Sequence, residues 1–174
     1  MDAQAARAVG AAAEGGSTVL DLADLGLATV PDEVFALAEL DHLDLSGNRI
    51  GELPERIGEL AGLESLYLNG NLLTRLPDAI GSLRNLRELR LFGNRLTALP
   101  AAVGELGALT ELQLGGNMLL ALPVELGRLT GLRRLYGLED EPLMDREFLY
   151  RNPGFWSADA QNLLRVYFRY GFRA

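Results

Sequence analysis

Leucine falls on alternate positions and then on every third position along most of this chain, and the two spacings take turns. Leu43 and Leu45 are separated by one polar residue, which predicts a short strand with one face turned inward. The same pairing recurs as Leu66 with Leu68, Leu89 with Leu91, and Leu112 with Leu114. Downstream of each pair the apolar positions widen to three apart. In Pro54-Glu-Arg-Ile57-Gly-Glu-Leu60 this fits a single helical turn that keeps Glu55, Arg56 and Glu59 in water. Pro31, Pro54, Pro77, Pro100 and Pro123 lie 23 residues apart, and Asn48, Asn71, Asn94 and Asn117 keep the same interval. Regularity of that kind demands a stack of repeated units.

Aligned on the interval, the units read Leu40-Asp-His-Leu43-Asp-Leu45-Ser-Gly-Asn48, Leu63-Glu-Ser-Leu66-Tyr-Leu68-Asn-Gly-Asn71, Leu86-Arg-Glu-Leu89-Arg-Leu91-Phe-Gly-Asn94 and Leu109-Thr-Glu-Leu112-Gln-Leu114-Gly-Gly-Asn117. Residues 17–39 form a degenerate first unit, with Leu25 where Asn is expected. After Leu135 the register is lost: Gly137 stands in place of the second strand leucine and Asp140 at the Asn position. Gly47, Gly70, Gly93 and Gly116 follow the strands and permit a sharp turn through positive φ. The prolines fix an extended residue before them and offer no donor, so each ends its ascending segment.

These units resemble the leucine-rich repeat family, in its 23-residue bacterial and plant-like form, over residues 17–136. The resemblance implies an α/β solenoid, in which a parallel β-sheet lines a concave face and short helical turns the convex one. It also implies that each Asn points inward and satisfies backbone groups of its turn. Strands about 4.8 Å apart on one side and wider turns on the other oblige the stack to curve. Open ends of such a stack invite aggregation, and helical caps are expected at both. Residues 1–16 are read as an N-terminal capping helix, from Ala3 to Glu14, weakened by Gly10 and stopped by Gly15-Gly16. Residues 137–174 are read as a C-terminal cap, with Ser157 capping a helix from Ala158 to about Tyr170. Ala160, Leu163, Leu164, Tyr167 and Phe168 make its apolar stripe, and Phe155 and Trp156 are expected to seal the core. The Ala-rich lead, Gly-Gly-Ser-Thr-Val-Leu-Asp-Leu and the closing helix resemble repeat domains attached to bacterial Roco-type GTPases.

Composition narrows the chemistry. The 174 residues carry 16 basic side chains, all Arg, against 24 acidic ones, for a net charge of -8. Lys and Cys are absent, and His42 is the only histidine. A Schiff base, a phosphate-loop lysine, a thiolate nucleophile, a disulfide and a cysteine zinc site are therefore excluded. The acidic balance argues against nucleic acid, whose affinity rests on neutralised phosphates. No cofactor is expected, and no run approaches the roughly 20 apolar residues of a membrane span. Met1 to Gly16 does not read as an export signal, so the expected location is the cytoplasm. Acid is concentrated in residues 1–140, where 20 acidic side chains face 11 Arg.

Residues flanking and separating the strand leucines should line the concave surface in three rows. The first reads Val19, His42, Ser65, Glu88, Glu111, Arg134. The second reads Asp21, Asp44, Tyr67, Arg90, Gln113, Tyr136, and the third Ala23, Ser46, Asn69, Phe92, Gly115, Leu138. Tyr67, Arg90, Phe92 and Tyr136 are the residue types that anchor protein interfaces. Asp44, Glu88, Glu111 and Gln113 surround them. Ordinary surface decoration is the alternative, with Arg90 paired to Glu88 or Glu111. His42, Ser65 and Asp44 can be drawn as a hydrolase trio, but an open sheet offers no water-excluding pocket and no free oxyanion donors. Asp21, Asp44 and His42 could hold a cation, but lack the converging oxygens of a calcium loop. No catalytic or metal site is predicted. Leu72, Met118 and Leu120 should project from the turns. The expected function is a non-catalytic scaffold for a protein partner, possessing a basic patch to suit the acidic field. The alternatives are a self-associating structural protein, or a secreted or surface effector engaging a host protein.

Overall fold

Six three-residue strands stack in chain order into one parallel sheet: β1 (Val19–Asp21), β2 (His42–Asp44), β3 (Ser65–Tyr67), β4 (Glu88–Arg90), β5 (Glu111–Gln113) and β6 (Arg134–Tyr136). The computed structural model describes residues 3–138 and 159–170. Each strand pairs with the next at an offset of one repeat, so that Leu20, Leu43, Leu66, Leu89, Leu112 and Leu135 form one lateral row. Leu43, Leu66, Leu89 and Leu112 are wholly buried, as are Leu45, Leu68, Leu91 and Leu114. The intervening polar side chains stand on the opposite, concave face. A two-residue period of inward and outward positions suffices to produce this.

The return path uses five 3-10 turns, at Asp32–Ala36, Glu55–Glu59, Asp78–Ser82, Ala101–Glu105 and Val124–Arg128. Every one is preceded by its proline in an extended conformation, with φ between -60 and -73. The proline carbonyl accepts the first turn bond, as from the Ile57 N–H at 3.0 Å. Successive convex turns touch through small residues. A Cβ added to Gly81 would stand 2.7 Å from the Ala102 carbonyl oxygen, and one added to Gly104 2.6 Å from that of Glu125. Phe35 occupies this place in the first turn; it is buried, and the Arg56 guanidinium covers its ring at 5.0 Å.

The asparagines bind coil to coil. Asn48 Oδ1 accepts the N–H groups of Leu25 and Leu27 at 3.1 and 3.0 Å, while its Nδ2 donates to the Leu22 and Leu45 carbonyls at 2.8 Å each. Asn94 accepts from Leu73 (3.1 Å) and donates to Leu68 (2.9 Å) and Leu91 (3.1 Å). Asn71 repeats the pattern, and Asn117 does so while half-buried. The inward Asn is therefore a bracket between neighbouring units, since each accepts from the coil before it.

Helix α1 (Ala3–Gly15) buries Ala5, Val9 and Ala12 against the first strand. Gly16, at φ 61, lets Ser17 N–H return to the Ala12 carbonyl at 3.0 Å, closing the helix end. Helix α2 (Ala160–Tyr170) packs on the fifth turn through Ala160, Leu163, Leu164 and Tyr167, with Phe168 half-buried. Its start lies two residues later than the sequence suggests. Tyr167 OH accepts the Leu122 N–H at 3.0 Å, and Gln161 donates to the Leu129 carbonyl at 2.6 Å. Asp140, Phe155, Trp156 and Ser157 lie outside the described residues.

One expectation for the sheet fails. Leu138 does not continue the third concave row; it is fully buried. Gly137 adopts φ 81, and a Cβ there would stand 2.3 Å from the Gly115 backbone. This pinch advances the inward position by one residue, and such a slip carries a side chain to the other face.

Candidate binding surface

Strands β1 to β6 place the predicted rows side by side, with His42 beside Ser65, Ser65 beside Glu88, and Tyr67 beside Arg90. Tyr67, Arg90, Glu88 and Glu111 meet at the centre as one connected group. The Tyr67 hydroxyl donates to Glu88 Oε2 at 2.6 Å, Arg90 Nε donates to Glu88 Oε1 at 2.7 Å, and Arg90 Nη2 bonds the same oxygen. The Arg90 guanidinium also lies 4.3 Å over the Tyr67 ring, and the His42 ring stands perpendicular to that ring at 4.7 Å between centroids. Glu111 extends the group, 4.0 Å from Arg90 and 3.1 Å from Arg134.

This packing sets the protonation of its members. Burial first, then the hydrogen bond given to Glu88, pushes the Tyr67 phenol up to about 12. Burial alone raises Glu88, but the hydrogen bonds from Tyr67 and Arg90 together with the Arg90 charge outweigh it and hold the carboxyl below its ordinary value. The group is satisfied internally.

Phe92 and Tyr136 differ from it. Phe92 is 51% exposed and Tyr136 45%. One edge of the Phe92 ring approaches Gly115 and Gly116, where added Cβ atoms would meet it at 3.3 and 3.5 Å. Its backbone N–H is fixed by Asn69 Oδ1 at 2.9 Å. The ring thus rests on a glycine shelf with its outer surface in solvent. Gln113 is half-buried in the row between Arg90 and Tyr136.

At the β1–β2 end the charge is unbalanced. Asp44 Oδ1 accepts the Ser46 N–H at 2.8 Å and Asp21 Oδ1 that of Ala23 at 2.9 Å. Neither carboxylate has a cation within ion-pair distance among the described residues. Asp24, which sequence reading passed over, stands in the turn after β1. It adopts φ 57 and lays its carboxylate over Gly47. Its alignment with Gly47, Gly70 and Gly93 was the available signal, because Asp tolerates the left-handed conformation that those glycines adopt.

The hydrolase trio is not wired. His42 packs on Tyr67, Asp44 serves the Ser46 amide, and no hydrogen bond among the described residues joins His42 to Ser65 or Asp44. No group of three or more potential metal ligands occurs among the described residues. Nor is any described helix long and apolar enough to cross a membrane. On the flank, Leu72, Met118, Leu120 and Val124 project outward, with Met118 54% and Leu120 56% exposed.

A family model described as a leucine-rich repeat region matches residues 18–113. Among solved structures, the repeat ectodomain of the plant membrane receptor kinase GASSHO1/SCHENGEN3 from Arabidopsis thaliana, in complex with CASPARIAN STRIP INTEGRITY FACTOR 2, is 36% identical, with a TM-score of 0.62 over 67% of this chain and 15% of its own. The plant peptide hormone receptor RGFR1 in complex with RGF2 is 39% identical, with a TM-score of 0.62 over 71% of this chain and 20% of its own. An internalin from Listeria monocytogenes is 26% identical, with a TM-score of 0.71 over 83% of this chain and 45% of its own. The chain spans less than half the length of each. No curated protein matches it. Sheet, turns, asparagine brackets and matched residues agree: the chain belongs to the leucine-rich repeat family.

Proposed function

We propose that the concave sheet is a docking surface for a protein or peptide partner, and that the chain acts by binding rather than by bond-making chemistry. The observation that carries this reading is the pair of exposed rings, Phe92 and Tyr136, on a sheet face whose charged centre is already braced. Aromatic side chains held on a rigid support anchor interfaces at little entropic cost. The two plant receptors, each solved in complex with a named partner, support a binding role for a repeat chain.

Alanine at both Phe92 and Tyr136 tests it. Loss of an anchor worth about 2 kcal/mol weakens capture of a partner about thirtyfold, and the exposed positions leave thermal stability nearly unchanged. Unaltered capture by the double variant would reject this surface. Self-association through the flank is the second reading, favoured by the exposure of Met118 and Leu120. Light scattering over a concentration series returns a constant monomer mass under the first reading and a rising mass under the second.

A further inference from the structure

We infer that the docked segment is extended and two-ended, with a basic side chain over Asp21 and Asp44 and an aromatic or branched aliphatic side chain on the Phe92 shelf. This rests on the concave sheet being the docking surface. The structure assigns the two ends by elimination of what is already satisfied. Six charged side chains stand in the concave rows, and four of them, Glu88, Arg90, Glu111 and Arg134, neutralise one another. The other two are Asp21 and Asp44. They are lateral partners in the sheet, so two like charges stand about one strand spacing, ~4.8 Å, apart. Each commits one oxygen to its own turn and keeps the second for an outside donor. A cation supplied by a partner relieves this repulsion, whereas a carboxylate is turned away.

The apolar end lies two strands further on. Phe92 presents its outer ring surface above Gly115 and Gly116, which have no side chains to fill the space beside it. Between the ends stand Ser46, Ser65, Tyr67 and Asn69, neutral and half-buried. From β2 to β4 is two strand spacings and from β1 to β4 three, or about 10 to 14 Å, and an extended chain at ~3.3 Å per residue crosses that in about three to four residues. The recognised pattern is therefore Arg or Lys set about four positions from Phe, Tyr, Leu or Ile.

Random decapeptides displayed on phage and selected against the full chain test this, followed by fluorescence anisotropy of the enriched peptides. The comparison proteins are Phe92→Ala and the double variant Asp21→Asn with Asp44→Asn. The Asn carbonyls still accept the Ala23 and Ser46 amides, so the charge changes and the turns do not. Enriched peptides carrying the basic-to-apolar pattern support the inference if the Asn double variant binds them about tenfold more weakly at low salt, and by a smaller factor at about 0.5 M. Peptides that depend on Phe92 but lack a basic residue, or ignore the Asn substitutions, overturn the inference and leave the docking surface standing. Peptides indifferent to all three substitutions overturn both. Failure to enrich any peptide overturns an extended ligand, and the capture experiment with Phe92 and Tyr136 then decides the surface alone.

Discussion

Asn94 shows how much one side chain governs. It satisfies the Leu73 amide and shares the Leu68 and Leu91 carbonyls with Asn71 and Asn117, so Asn94→Ala strands the Leu73 amide and takes one of two donors from each carbonyl. The expected cost is about 1–3 kcal/mol, read as a shift of the urea midpoint at constant slope, with a smaller loss for Asn117→Ala because Asn117 is half-buried. The sequence announces this role through its interval. Asp24 is harder to see, since its coil lacks the Asn and Gly that mark the others, and only lateral alignment reveals an aspartate in a glycine place. Gly47→Ala puts a Cβ 1.9 Å from Asp24 Oδ1 at φ 69, which costs about 1–2 kcal/mol from the left-handed backbone plus displacement of the carboxylate. Combining it with Asp24→Gly removes the collision but not the backbone strain. A double-mutant cycle in urea should give a coupling of at least about 0.5 kcal/mol.

Elements respond according to what their backbones touch. In the convex turns glycine is required by proximity rather than by φ. Gly104→Ala drives a Cβ to 2.5 Å from that of Glu125, so the fourth and fifth turns must separate, at about 1–3 kcal/mol. Gly10→Ala is the opposite case. It lies inside α1 with nothing within 4 Å of its added Cβ, and should raise stability by about 0.5–1 kcal/mol. Calorimetric melting of the two variants should move in opposite directions. Strands, turns and α2 were legible because period-two and period-three apolar positions report which face is inward, whereas α1, which holds no leucine, was legible from its alanines and the glycines that stop it. The fate of Leu138 was not. Counting residues carries the row forward, but the close approach of Gly137 to Gly115 is a backbone event that leucine spacing does not encode.

At the scale of the whole molecule the concave rows were legible from the repeat alone, while the pairing within them was not, because side-chain length and direction decide whether Tyr67 reaches Glu88 or water. That pairing has a signature in alkali. The folded-state pKa of Tyr67 is about 12, above the ordinary value near 10 for an unfolded chain, so the unfolded state loses its proton first. The contribution is fully present below about pH 10 and is lost as pH rises toward 12. Stability against urea should fall through that window, and less steeply in Tyr67→Phe, which has no phenol to titrate. The interior coils also share one contact on their outer side, small residue against backbone, whereas the first coil is fastened by Phe35 and Arg56. The 23-residue unit Pro54–Leu76, excised or duplicated, therefore meets familiar neighbours at both junctions. Each such edit moves Phe92 nearer to or farther from Asp44 by about one strand spacing, ~4.8 Å, so the solenoid is an adjustable ruler graduated in steps of one to two ligand residues.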